Sequence, residues 1–306
     1  MIDVIVPTYR RPHQLAQCLA GLRGQSVLPR RVVVVVHEGD EETAQVLREP
    51  ENRHVHVRST GSSGQVAALR EGVAASDAPI LAFTDDDAVP REDWIEKITY
   101  HFSDETVGAV GGRDAIAGSS EHVAPDVPVG RVGRWGRVTG NHHLGAGPPR
   151  HVDVLKGVNM AFRRVALQVP MGLRGGGAEP HNDAAASLNA RQLGWTVIYD
   201  PAIVVDHYVG SRLVGPVRGS ASSDDARSAA YNLTIAVLST RAAPVWRRAI
   251  YGILVGDRGT PGIVRATFAL ARGEVDRGVV HGLFSSLQGQ VEAIVDYLQG
   301  RRLGYG

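Results

Sequence analysis

Three consecutive carboxylates, Asp85, Asp86 and Asp87, are the residues of this chain best placed to do chemistry. They follow the apolar run Ile80-Leu81-Ala82-Phe83-Thr84 and precede Ala88-Val89-Pro90. Adjacent carboxylates repel one another unless a cation joins them, and hard oxygen ligands suit Mg²⁺ or Mn²⁺. A divalent ion held there would bridge to phosphate. The apolar run reads as a buried strand, and Pro90 is placed to open the following helix. The acids therefore fall at the end of a strand, the edge at which open α/β sheets bind ligands. A solvated acidic turn that caps the next helix is the other reading of the same residues.

The elements that must position this turn follow from periodicity. Ile2–Val6 is a β-branched run ended by Pro7, and Leu15, Cys18, Leu19 and Leu22 lie on one helical face between Pro12 and Gly24. Residues 31–36 form a fully apolar second strand that delivers His37-Glu38-Gly39-Asp40 to the same sheet edge as Thr8-Tyr9-Arg10. A third strand is expected over 54–58, then a Gly-Ser loop and a helix over 65–75; strands alternating with helices predict a doubly wound, mostly parallel α/β sheet. The Gly-Ser loop lacks the Lys-Ser/Thr ending of a phosphate-gripping loop, and no G-x-G-x-x-G follows the first strand. Val107–Gly112 reads as a strand, and 118–150, rich in Gly, Pro and His, as a long irregular insert. Order returns over 152–164, a helix follows Asn182-Asp183, and an apolar strand ends in Asp206-His207. Beyond 215 only helical periodicity remains, over 224–239, 244–255, 261–270 and 279–298.

Composition excludes several classes. The 306 residues are 43% hydrophobic and 21% charged, as in ordinary globular proteins, and the single cysteine, Cys18, excludes an internal disulfide framework. The start shows no basic n-region or cleavage site, and no apolar run is long enough to span a bilayer, so a cytoplasmic protein is expected. The net charge of +1 hides an asymmetry: residues 211–306 hold 12 basic and 7 acidic side chains. That basic tail would favour peripheral contact with the inner face of an anionic membrane, or an acidic acceptor. The apolar helical face of Leu283, Leu287, Val291, Ile294, Val295 and Leu298 reads as core, as a homodimer contact or as a membrane-packing face. No nucleic-acid partner is expected.

Taken together in this order, Val6-Pro7-Thr8-Tyr9-Arg10-Arg11, His37-Glu38-Gly39-Asp40, Thr84-Asp85-Asp86-Asp87, Gly157 to Arg163, Asn182-Asp183 before Gly194-Trp195, and Pro201 to His207 resemble the family 2 glycosyltransferases over roughly residues 1–210. The resemblance implies a GT-A-type fold: a nucleotide-sugar-binding half over 1–112, an acceptor-side half over 113–212 and a C-terminal all-helical extension over 213–306. It implies inverting transfer of a sugar from a nucleoside-diphosphate sugar to a hydroxyl of a glycan or lipid-linked acceptor, with Mn²⁺ or Mg²⁺. Pro7, Thr8, Tyr9 and Arg11 would line the nucleoside pocket, Glu38 would accept from the base, and Asp85 and Asp86 would lie near base and ribose. Asp87 and His207 would hold the metal, and Asp183 would be the general base. Trp135, Lys156, Asn159 and Asn182 would shape the acceptor side. Physical reasoning agrees: a departing diphosphate develops charge that a divalent ion stabilises, and Asp183 at a helix N-terminus is kept ionised as a ready base. Asp183 also reads as a plain helix cap, and His207 as a strand-end histidine bonded to backbone. The chain departs from the family pattern at His37 and Asn182, where acids are usual, and at Ala185 and Asn189, where an acid and an arginine are frequent. Two other functions compete. Asp85-Asp86-Asp87-Ala88-Val89 also fits the nucleophile motif of haloacid-dehalogenase-like phosphatases, and a catalytically silent sugar-nucleotide-binding protein would carry the same pocket.

Overall fold

The computed structural model describes residues 1–62, 64–208, 223–257, 260–272 and 277–306; the expected boundary between 212 and 213 lies outside them. The first half alternates strand and helix, adding α2 and β5 to the expected elements and moving the third strand from 54–58 to 56–60: β1 (Ile2–Thr8), α1 (Pro12–Arg23), β2 (Arg31–His37), α2 (Glu41–Leu47), β3 (His56–Thr60), α3 (Gln65–Ala74), β4 (Ile80–Thr84), β5 (Ala88–Pro90), α4 (Trp94–His101) and β6 (Val107–Ile116). The insert contributes only the two-residue strands β7 (Arg131–Val132), β8 (Val138–Thr139) and β9 (Arg150–His151). Then come β10 (Asn159–Arg163), β11 (Pro170–Met171), α5 (Asn182–Gln192) and β12 (Thr196–His207). The C-terminal part holds α6 (Ser223–Ser239), α7 (Val245–Leu254), β13 (Gly256–Asp257), β14 (Thr260–Pro261), α8 (Ile263–Ala271), α9 (Arg277–Leu298) and β15 (Gly304–Tyr305).

One sheet runs β3-β2-β1-β4-β10-β6-β12-β5, with β9 on β12. β3, β2, β1 and β4 are parallel, as are β6 and β12, while β10 is antiparallel to both β4 and β6. The unbroken valine run of β2 is buried because helices cover both faces of the sheet. On one face Leu15, Leu19, Trp94 and Ile98 join the core, and on the other Leu69, Phe83, Phe162 and Ala190 do. Gly72 lets α3 lie directly on β1, because a Cβ there would come within 2.4 Å of the Ile5 side chain.

Three expectations are corrected. β1 continues through Pro7, which costs little because Pro7 lacks only the N–H and still keeps register with Val35. Pro90 does not open a helix: Ala88–Pro90 pairs with the end of β12, and α4 begins only at Trp94. The region beyond 215 is not purely helical, since β13 and β14 form a hairpin between α7 and α8 and β15 pairs with β11. The C-terminal helices share core with the preceding part: Leu233 and Val237 of α6 pack with Ala184 and Leu188 of α5.

Candidate active site

The sheet order assembles the site from residues far apart in sequence. The amide of Ala88 donates to the Asp85 carbonyl at 3.2 Å, closing the acidic turn beyond β4. β5 then runs antiparallel to β12 with Ala88 opposite His207, and the Tyr208 amide donates to the Asp87 carbonyl at 2.8 Å. As a result Asp85, Asp87 and His207 each offer a ligand atom, all within 4.8 Å of one another. His207 Nε2 lies 3.4 Å from Asp87 Oδ1. Behind the imidazole stands Asp114 of β6, fully buried and ion-paired with Lys156. Its Oδ2 is 3.7 Å from His207 Nδ1, too far for a hydrogen bond, so the two interact through charge.

The loop after β1 closes the other side. Thr8 Oγ1 donates to Asp86 at 2.8 Å, and Arg11 Nη1 donates to Asp86 at 2.8 Å and to Asp87 at 3.0 Å. Tyr9 packs edge-on against His37 with ring centres 5.4 Å apart, and the Arg10 amide donates to Asp40 at 2.5 Å, tying the ends of β1 and β2 together. Arg10 adopts φ 52° to do so. Glu38 is exposed, and its carboxylate rests against Gly61, where a Cβ would lie 3.0 Å from Oε2.

The turn is crowded with charge. Burial and the neighbouring Asp87 and Asp86 push Asp85 up to about 7, although His207 and Lys156 oppose them. Burial raises Asp86 as well, against the pull of Arg11 and Thr8. For His207 burial favours the neutral ring, but the carboxylates of Asp114, Asp87 and Asp85 outweigh it and hold the imidazolium up to about 9. Burial would raise Asp114, yet His207 and Lys156 hold it down at about 2. His207 Nδ1 and Asp114 Oδ1 are buried without a hydrogen-bond partner. Two carboxylates and an imidazole converging under such charge crowding fit a divalent cation.

Asp183 sits in the first turn of α5, where Oδ2 accepts from the Gly157 amide at 2.9 Å and Oδ1 from the Ala184 amide at 2.8 Å. Gly157 directly follows Lys156, so one short segment braces both Asp183 and the Asp114–His207 group. The other expected acceptor-side residues disperse. Asn159 is the clearest correction: its amide donates to the carbonyls of Arg113 and Ile203 and accepts from Trp94 Nε1, all at 2.8–3.1 Å, so the sheet interior uses it fully. Asn182 donates to Gln65 and to the Glu179 carbonyl, while the Glu179 carboxylate accepts from the Val66 amide at the start of α3. Trp135 packs edge-on against Trp246 of α7 at 5.5 Å. Sequence reasoning missed Asp114, which lies just past the apolar run expected to end at Gly112, so only the structure shows that β6 carries it on to Ile116. It also missed that Arg11 spans Asp86 and Asp87.

The phosphatase reading loses its support here. The acidic turn follows the fourth strand of the chain, β4, whereas those phosphatases carry their nucleophile motif on the first.

Comparison with known proteins agrees with this geometry. Residues 2–219 match the family described as "Glycosyltransferase like family 2", and the chain belongs to that family. Over 116 residues it is 28% identical to glycosyltransferase AglE of Haloferax volcanii, covering 36% of this chain and 38% of that protein. Over 117 residues it is 30% identical to the pre-mycofactocin glycosyltransferase of Mycobacterium tuberculosis, covering 37% of this chain and 23% of that one. The match thus spans well under half the length of either relative. Among solved structures, residues 1–349 of S. aureus TarS superpose with a TM-score of 0.60 at 13% identity, covering 98% of this chain and 83% of that one. The mannosyltransferase PcManGT from Pyrobaculum calidifontis, solved with GDP-Man and Mn²⁺, gives a TM-score of 0.51 at 16% identity, covering 98% and 88%. These likenesses establish the GT-A fold.

Proposed function

We propose that this protein is an inverting glycosyltransferase that moves a sugar from a nucleoside-diphosphate donor to a hydroxyl of a glycan or lipid-linked acceptor, with Asp183 as general base. The observation that carries the reading is the convergence of Asp85, Asp87 and His207 at the carboxyl edge of β4, beside Thr8 and Arg11. Asp85, Asp87 and His207 would hold Mn²⁺ or Mg²⁺, which when bound supplies positive charge to a departing diphosphate. The side chains of this chain do the rest. Pro7, Thr8, Tyr9 and Glu38 surround the nucleoside, and Arg11 neutralises Asp86 and Asp87 until donor arrives. Two backbone amides hold the Asp183 carboxylate in place, where a carboxylate oxygen would accept the acceptor hydroxyl's proton. Lys156 sets the Gly157 amide against Asp183 while pairing with Asp114.

Asp183→Asn tests this directly. Turnover should fall about 10²-fold or more while calorimetry finds nucleoside-diphosphate affinity retained. Unchanged turnover would remove Asp183 from the mechanism. Wild type that binds nucleotide sugar but transfers nothing to any hydroxyl acceptor would instead support the silent binding protein. A thermal-shift screen of nucleoside diphosphates with Mn²⁺ identifies the donor class.

A further inference from the structure

We propose that the α7–β13–β14–α8 segment is a docking surface for an anionic lipid bilayer. α7 is inverted with respect to water. The side it buries carries Arg248, 1% exposed, together with Tyr251 and Gly252. The side it exposes carries Trp246, Ile250 and Leu254, one residue per turn, at 55%, 43% and 44%. This orientation is locked by polar contacts. Arg248 donates to the Gly136 carbonyl at 2.8 Å, to Asp257 at 3.0 Å and to Thr234 at 3.1 Å. Gly252 admits Gln290 of α9 so closely that a Cβ would lie 1.8 Å from Oε1. Rotating α7 to hide its apolar stripe would strand the buried guanidinium, so the stripe stays outward.

The β13–β14 hairpin extends the stripe onto α8. Gly256 pairs with Pro261, and the Gly262 amide donates to the Val255 carbonyl at 2.9 Å, which brings the end of α7 beside Ile263 and Val264. The apolar ridge continues along α8 to Phe268, 63% exposed. A contiguous exposed patch of this kind marks an interaction site.

Charge selects the occupant. Between 241 and 272 the sequence has six arginines and one acid, and that acid, Asp257, is already paired with Arg248. The insert that touches α7 through Trp135 carries exposed Arg134 and Arg137 and has no acid from 127 through 152. An apolar ridge with cationic flanks and a tryptophan at its margin matches the boundary between acyl chains and anionic headgroups. A second copy of this chain would set the same arginines against each other across a two-fold axis, so charge opposes self-association through this face. Among the described residues no helix is long and apolar enough to cross a membrane, so the segment lies on the bilayer. The inference does not depend on the transferase reading.

Flotation of the full chain with vesicles tests it. Wild type should float with phosphatidylcholine–phosphatidylglycerol vesicles, bind phosphatidylcholine alone weakly, and be released by salt. The double substitution Ile250→Glu, Phe268→Glu should lower binding about tenfold or more, with an unchanged thermal melt because both side chains are exposed. Arg241→Gln with Arg272→Gln should remove most of the preference for the anionic lipid. The proposal is overturned if wild type does not float, or if the Glu variant floats equally well. Light scattering that finds a dimer which the Glu variant dissolves, with no vesicle binding, would assign the ridge to a second copy instead.

Discussion

The two ends of the β1–β4 strand pair each bury acid, and they treat it in opposite ways. At the N-terminal end Asp3 accepts two bonds from Arg30, at 2.8 and 2.7 Å, and one from Ser76 at 2.6 Å. Burial alone would raise its pKa, but those partners bring it below the ordinary value. At the C-terminal end Asp85 and Asp86 are raised, because burial and the crowding of neighbouring carboxylates outweigh the pull of His207 and Lys156 on Asp85 and of Arg11 and Thr8 on Asp86. An acid that serves the fold is surrounded by its counter-ions. Acids raised by burial and like-charge crowding are where functional sites concentrate.

The contrast can be broken most sharply at Asp87. Asp87→Ala should abolish the Mn²⁺-dependent tightening of nucleoside-diphosphate binding and reduce turnover about 10²-fold or more, with the fold intact by circular dichroism. Equal affinity with and without metal in the wild type would end the metal assignment. Asp114→Ala should weaken Mn²⁺ binding, read by electron paramagnetic resonance, by about 10- to 100-fold, since it removes the charge that orients His207. At the structural end the effect should appear in stability alone. Asp3→Asn should cost about 1–3 kcal/mol in denaturant unfolding and leave nucleotide affinity unchanged. Because the folded pKa of Asp3 lies below its unfolded value near 3.8, this contribution is fully present above that value and is lost as pH falls through the folded pKa. The gap between wild type and Asp3→Asn should therefore close under acid. The smallest effect has the opposite sign: Asp85→Asn should stabilise the metal-free protein by up to about 1 kcal/mol by relieving like-charge crowding.

Much of the N-terminal architecture was legible because it is written locally. The valine run of β2, the Leu15-Cys18-Leu19-Leu22 face of α1 and the acids after β4 each declare themselves within a dozen residues. The errors occur where a distant partner decides. Pro90 looked like a helix start, but β12 offers it a strand to pair with. Asn159 looked available to an acceptor, but Trp94 and two carbonyls from β6 and β12 engage it. Asp114 was overlooked in a strand expected to stop at Gly112, and its meaning depends on Lys156 and His207 meeting it from other strands. The outward stripe of α7 likewise becomes informative only once Arg248 is found buried on the other side.

By itself, the amino-acid order determined the alternation of strands and helices, the placing of three carboxylates at a strand end and the helices of the C-terminal part, because hydrophobic period and chain punctuation act over one or two turns. Only the tertiary structure decided that β12 returns beside β5 to bring His207 to Asp87, that Arg11 lies across the acids, and that α7 faces its apolar side outward. Those choices depend on pairing and charge balance between segments tens to hundreds of residues apart, which no local pattern encodes.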